Sequence, residues 1–536
     1  PTPSRSPMTR RAAPSRRALL PVTAALAATG LLLSGCSSLG AGATGEPTSG
    51  GATGAVVEGT PEELQRYYTQ TVAWEDCTFE VKTNGAQDDL QCADVEVPLD
   101  YADPGGATTT VVMSRLPAGG DARGSLLLNP GGPGASGVDA MLYAQYTVTG
   151  DVREAYDVVG FDPRGVSRSE GIECLDDAEL DAWRAEPMFD PEEQPVEQIQ
   201  EEYEQLGAAC VQDSGELVAQ MDTVSAARDM DVLRAVLGDE RTTYLGFSYG
   251  THLGAVYADL FPDRVGRLVL DGGVDPTLSD MEATADQAEG FEDNLRHWVQ
   301  QCQFEIRDCV VADVSTDEAM TRIQELIASV EEETVTAADG RRVTATNVVE
   351  GILGPLYATT GYETLNESLG AAFDGDFSAL LAQSDATHGR DAEGRYTSNT
   401  TMAFTAVNCL DRPDGTVTAE QMAQHQEELE RVAPTFGPYL GYGDAACQGW
   451  PVDPAGLPEP LDAAGADPVL VVGTTHDPAT PYHWSEALVE QLDSARLLTY
   501  DSYGHTAYTA GNRCVQDAVD AYLLEGELPA EGTTCS

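Results

Sequence analysis

Short, nearly continuous apolar runs recur along the chain and alternate with stretches of helical periodicity. Residues 95–99 and 109–113 read as an opening hairpin. Further runs follow at 125–128, 157–161, 243–245, 267–270, 468–472 and 496–500. Runs this apolar fit strands covered on both faces, as in a largely parallel sheet with helices between the strands. Residues 223–237 read as a helix stopped by Gly238. Residues 278–400 differ. Met320, Ile323, Leu326, Ile327 and Val330 fall at helical spacing, strand signals are few, and Asp391-Ala392-Glu393-Gly394 suggests a loop near the end. The expectation is an α/β fold with a mostly parallel central sheet and a helical cap inserted after the sixth strand. It divides into 61–277 (first part of the core), 278–400 (cap) and 401–536 (C-terminal part of the core).

Gly246-Phe247-Ser248-Tyr249-Gly250 lies where one pattern changes into the other. A short β-prone stretch, 242–245, precedes it. A helix-compatible stretch, 251–261, follows it up to Pro262. Strand, sharp turn and helix around G-x-S-x-G form the nucleophile elbow of an α/β-hydrolase. The flanking glycines let strand and helix approach closely.

A serine hydroxyl needs a base to take its proton and an acid to orient that base. In such folds the order along the chain is Ser, acid, His. Beyond Ser248 lie His252, His297, His388, His425, His476, His483 and His505. His252 is one turn along the elbow helix, where packing is the expected role. His297, His388 and His425 lack a strand-end setting. His505 has one, in Asp501-Ser502-Tyr503-Gly504-His505 after the last predicted core strand. The preceding strand leads into Asp477-Pro478-Ala479-Thr480-Pro481, so Asp477 is the favoured acid, with His476 and His483 as distractors beside it. Asp271, at the end of the sixth strand, is the alternative acid. Oxyanion donors are expected from the residue after the serine and from the loop Asn129-Pro130-Gly131-Gly132-Pro133-Gly134-Ala135-Ser136-Gly137, so Tyr249 and Gly132 are chosen. A phosphate loop is excluded, since no Gly-Lys-Ser/Thr follows. No cofactor is expected. No His-x-x-x-His or cysteine cluster points to a metal.

Charge and cysteine usage add a compartment. The chain has 536 residues, 29 Lys+Arg and 89 Asp+Glu. Five arginines and no acid precede Cys36, so the chain from Cys36 onward carries −65. Such a surface repels nucleic acid and anionic lipid, and it suits a cationic substrate such as a peptide's amino end. Arg10, Arg11, Arg16 and Arg17 form a basic segment, with Met8 the expected start. An apolar stretch, 18–33, ends in Leu33-Ser34-Gly35-Cys36, which resembles a bacterial lipobox. Residues 1–35 are read as a signal peptide. Cys36 is read as the lipid-attachment site and 36–60 as a flexible tether. Ser15-Arg16-Arg17-Ala18-Leu19-Leu20 also resembles a twin-arginine signal. Ten cysteines then remain, which suits five disulfides in an exported protein. Sequential pairing is expected: Cys77–Cys92, Cys174–Cys210, Cys302–Cys309, Cys409–Cys447 and Cys514–Cys535.

The residues also carry a family resemblance. The 129–134 loop resembles the His-Gly-Gly-Pro-Gly loop of proline iminopeptidases, with Asn-Pro in place of the leading residue. Asp162-Pro163-Arg164-Gly165-Val166-Ser167-Arg168-Ser169 resembles an Asp-x-Arg-Gly-x-Gly-x-Ser turn of the same superfamily, departing from it at Val166 and Arg168. With the elbow, Asp-Pro-Ala-Thr-Pro at 477–481 and Gly-His at 504–505, the chain is similar over about 75–530 to secreted tripeptidyl aminopeptidases of streptomycetes and mycobacterial envelope serine proteases. The resemblance implies cleavage near a free N-terminus, with tripeptides the expected product. Ser248 would attack, His505 would move the proton, Asp477 would orient His505, and Gly132 and Tyr249 would hold the oxyanion. The alternatives are an exported carboxylesterase or lipase with the same triad, and a binding lipoprotein on an inactive hydrolase fold.

Overall fold

The computed structural model describes residues 59–79, 89–185, 195–411, 417–457 and 461–536. The signal peptide, Cys36 and nearly all of the tether lie outside the described residues. The central sheet is built from β1 (Glu75–Asp76), β2 (Gln91–Pro98), β3 (Thr108–Leu116), β4 (Ser125–Asn129), β5 (Asp157–Phe161), β6 (Thr242–Phe247) and β7 (Val265–Asp271). A two-strand ribbon follows, β8 (Val335–Thr336) and β9 (Arg342–Val343). The sheet resumes with β10 (Val469–His476), β11 (Ala495–Tyr503) and β12 (Thr534–Cys535). Its order is β1-β2-β3-β5-β4-β6-β7-β10-β11-β12. The β1-β2, β2-β3 and β3-β5 pairings are antiparallel and the others parallel. This is the mostly parallel sheet of an α/β-hydrolase. The eight apolar runs lie in eight of its strands; β1 and β12, two residues each, carry no such run.

Strand alternation explains why those runs are continuous. Leu127, Tyr244, Val469 and Val471 join one apolar cluster, while Leu126, Leu128, Leu245, Leu470 and Val472 join another. Successive side chains point to opposite faces, and helices cover both. The helix Thr223–Leu237 covers one face. Asp222 accepts from the backbone N–H of Ser225 at its start, and Gly238 ends it with φ 86°.

Among the described residues between β7 and β10, helices predominate around the β8-β9 ribbon. Asp280–Glu305 begins with a reciprocal Ser279/Glu282 cap, and Thr316–Glu332 with Ser315 accepting from Glu318. Met320, Ile323, Leu326, Ile327 and Val330 bury together against Phe291, Leu295 and Trp298 in a separate core. Helical structure continues beyond residue 400, in Thr400–Asp411, Ala419–Val432 and Gly443–Gly449. The first of these buries Met402, Ala403, Ala406, Val407 and Leu410 in the sheet's own cluster. The five disulfides join Cys77–Cys92, Cys174–Cys210, Cys302–Cys309, Cys409–Cys447 and Cys514–Cys535. Among the described residues no helix is long and apolar enough to cross a membrane.

Candidate active site

Ser248 sits between β6 and the helix Tyr249–Leu260 with φ 55° and ψ −124°. This is a costly conformation for a residue with a Cβ, and it lifts the side chain out of the turn. The neighbouring glycines are required by space. A Cβ on Gly246 would stand 2.4 Å from the Gly250 carbonyl oxygen, and one on Gly254 would stand 2.6 Å from Leu270. The Ser248 N–H donates to the Asp271 carbonyl at 2.9 Å, tying the elbow to the end of β7.

His505 follows β11, and its Nδ1 lies 2.8 Å and 3.0 Å from the two carboxylate oxygens of Asp477. Asp477 also accepts backbone N–H bonds from Ala479, Thr480 and Thr506 at 2.9–3.0 Å. Thr480 Oγ1 lies 3.4 Å from His505 Nδ1. Burial opposes a charged ring at His505, yet the Asp477 charge and hydrogen bond carry its pKa above the ordinary value. The alternative acid, Asp271, has a different set of partners. Its fully buried carboxylate accepts the N–H groups of Ala507 and Tyr508 at 2.8–3.1 Å. Burial pushes its pKa up to about 7 against those bonds. Asp271 therefore anchors the loop that carries His505, and Asp477 is the carboxylate bonded to the ring. The insertion grips the same loop, because the His505 N–H donates to the Tyr357 carbonyl at 2.7 Å.

The glycine loop approaches the elbow from β4. Gly131 has φ 99°, and a Cβ there would stand 2.6 Å from the Phe247 carbonyl oxygen and 3.0 Å from Ser248 Cβ. Gly132 has φ 112°. Asp162, from the Asp-Pro-Arg-Gly turn, accepts from Ser136 Oγ and the Val138 N–H at 2.5 Å and 3.0 Å, fixing the end of this loop. Burial pushes the Asp162 pKa up to about 6. Arg164 of the same turn is buried and forms two 2.7 Å bonds to Asp229. That turn is a structural brace.

Gly132, Ser248 and Tyr249 open onto one cavity of about 450 Å³. Its far walls come from the insertion and from the Asp477 loop. They include Phe291, Phe404, Trp484, the Cys409–Cys447 bridge and two carboxylates, Asp280 and Asp411. Neither acid was legible in the sequence, since nothing in their local pattern sets them apart from the other acids. The remaining histidines have other surroundings. His476 bonds Asp293 and stacks on Tyr503, His483 bonds Asp286, and His388 bonds Glu350. His297 stacks on the other side of Tyr503, His425 is buried, and His252 lines the cavity.

Known proteins resemble this chain along nearly its whole length. It is 35% identical to serine protease Hip1 of Mycobacterium tuberculosis over 96% of this chain and 98% of that protein. It is 37% identical to carboxylesterase B of the same species, over 96% and 98%. Tripeptidyl aminopeptidase of Streptomyces coelicolor is 31% identical over 87% and 86%. Residues 433–535 match the family model of TAP-like proteins. The fold and these relatives make the chain a serine hydrolase. It belongs to the α/β-hydrolase family that contains the Hip1 serine proteases and the streptomycete tripeptidyl aminopeptidases.

Proposed function

We propose that the protein is an exported serine exopeptidase that releases short peptides, tripeptides first among them, from free N-termini. The observation that carries this reading is the shared cavity. A strained elbow serine and two backbone donors occupy one wall, and the carboxylates of Asp280 and Asp411 lie among aromatic side chains on the others. Ser248 attacks the scissile carbonyl. His505, oriented by Asp477, takes the proton and returns it to the leaving amine. The N–H groups of Gly132 and Tyr249 hold the oxyanion, and water resolves the acyl-enzyme. The helices after β7 act as the cap, and the cavity's size suits a peptide end better than a folded chain. Asp280, the first residue of the helix Asp280–Glu305 on the cavity wall, is the proposed partner for the substrate's ammonium. The five disulfides support export, with Cys36 as lipid anchor and the following residues as tether.

Hydrolysis of tripeptide anilides tests this. Ser248→Ala should abolish turnover, and N-acetylation of the substrate should do the same. Asp280→Asn should raise KM with little change in kcat. An acetylated substrate cleaved at the unmodified rate would rule out the exopeptidase. The identity to carboxylesterase B favours a second reading, an exported esterase. Fast turnover of short acyl esters with no anilide cleavage would select it.

A further inference from the structure

One helix of the insertion, Thr400–Asp411, touches both sides of the proposed oxyanion hole. At its start, Thr400 Oγ1 donates to the Gly134 carbonyl at 3.2 Å. A Cβ on Gly134 would stand 2.9 Å from the Thr400 carbonyl oxygen and 3.0 Å from the Phe404 nitrogen. The loop bearing Gly132 therefore lies directly on the helix backbone. At the helix end, Asp411 accepts the Thr223 N–H at 2.7 Å and the Thr223 hydroxyl at 2.6 Å. Thr223 Oγ1 is hydrogen-bonded in turn to the phenol of Tyr249. The direction of this chain follows from its acceptors. The Thr223 hydrogen points to Asp411, so the Thr223 oxygen is left to accept from Tyr249. Burial pushes the Tyr249 pKa well above its ordinary value, so the phenol keeps its proton to donate.

Tyr249 is the first residue of its helix. A backbone N–H at that position has no intrahelical acceptor, and its direction is set by whatever holds the first turn. We propose that Asp411 is a positioning residue of the oxyanion hole: through Thr223 it fixes the Tyr249 side chain and with it the aim of the Tyr249 backbone N–H. This rests on the reading above, in which that N–H meets the oxyanion. The cap helix thereby helps assemble the catalytic site as well as enclose the substrate. Cys409–Cys447, two residues before Asp411, fastens the same helix end to the helix Gly443–Gly449.

The test uses the full chain and a tripeptide anilide, with Thr223→Val, Tyr249→Phe, the double variant and Asp411→Asn. Deleting an oxyanion donor costs about 10²–10³ in kcat, and misaiming one costs less, about tenfold. Each single variant should lose about tenfold in kcat with KM within about twofold, and the double should fall no further than the worse single, because the relay acts as one unit. Tyr249→Phe removes a single oxygen and carries the test if Thr223→Val does not fold. Wild-type kcat in Thr223→Val and Tyr249→Phe, or losses that multiply in the double variant, would overturn the relay. So would a raised KM with normal kcat in Asp411→Asn, which would make Asp411 an ammonium anchor. A Ser248→Ala control that stays active would overturn the underlying reading; an inactive control confines any failure to the relay.

Discussion

Two aspartates at the ends of neighbouring strands invite comparison. Asp271 ends β7 and Asp477 follows β10, which pairs with β7 in parallel. Both are almost wholly withdrawn from water. Both collect backbone N–H bonds, Asp271 from Ala507 and Tyr508, Asp477 from Ala479, Thr480 and Thr506. They differ in one bond. Asp477 also holds His505 Nδ1, whereas Asp271 holds the loop just beyond that histidine. Asp271 also lends its backbone carbonyl to the Ser248 N–H. Position at a strand end and burial are thus shared by the acid bonded to the histidine ring and a structural anchor. The ring partner separates them.

Neutralising each acid without changing its shape should widen that difference. Asp477→Asn should lower kcat about 10⁴-fold, because an amide facing Nδ1 favours the wrong histidine tautomer. Asp271→Asn should cost less than about tenfold, since the amide oxygen still accepts an N–H from the loop. Steady-state kinetics on one anilide substrate decide it. Equal losses in the two variants would dissolve the distinction.

A smaller effect is expected in the pH profile. In the proposed mechanism His505 must be neutral to accept the Ser248 proton, so kcat/KM should fall as pH drops through the His505 pKa. That pKa is raised by Asp477 and, more weakly, by Asp271. The acid limb should therefore lie above the ordinary histidine value of about 6.5. Asp271→Asn should move it to lower pH by less than one unit or so. A limb that stays in place, or moves up, would remove Asp271 from the electrostatics of the base.

What the sequence revealed follows the same divide. Ser248, His505, Asp477 and the 129–137 loop each lie next to an apolar run punctuated by glycine or proline, and that local setting is written in the chain. Asp271 was legible as a strand-end acid, but its acceptance of the Ala507 and Tyr508 N–H groups, 236 and 237 residues away, was not. His476 and His483 flank Asp477 in sequence, yet each faces a carboxylate of the helix Asp280–Glu305, Asp293 and Asp286. Asp411 and Thr223 meet across 188 residues. Contacts fixed by topology leave no periodic trace.

The least of the expected effects concerns stability, and it has a definite sign. Asp271 has a folded pKa of about 7, against about 3.9 for an unfolded aspartate. Between those values the folded state keeps a proton that the unfolded state has released. Stability from this group is therefore complete below about pH 4 and declines as pH rises towards 7. Asp271→Asn removes a titrating group while preserving an acceptor for the loop. The variant should lose stability relative to wild type at pH 5 and recover part or all of that difference at pH 8, where the wild-type carboxylate bears an unfavourable buried charge. Thermal melts of both proteins at the two pH values measure this. A difference in Tm that is unchanged between them would mean that Asp271 is already ionised in the folded protein at pH 5, and that its backbone donors outweigh burial.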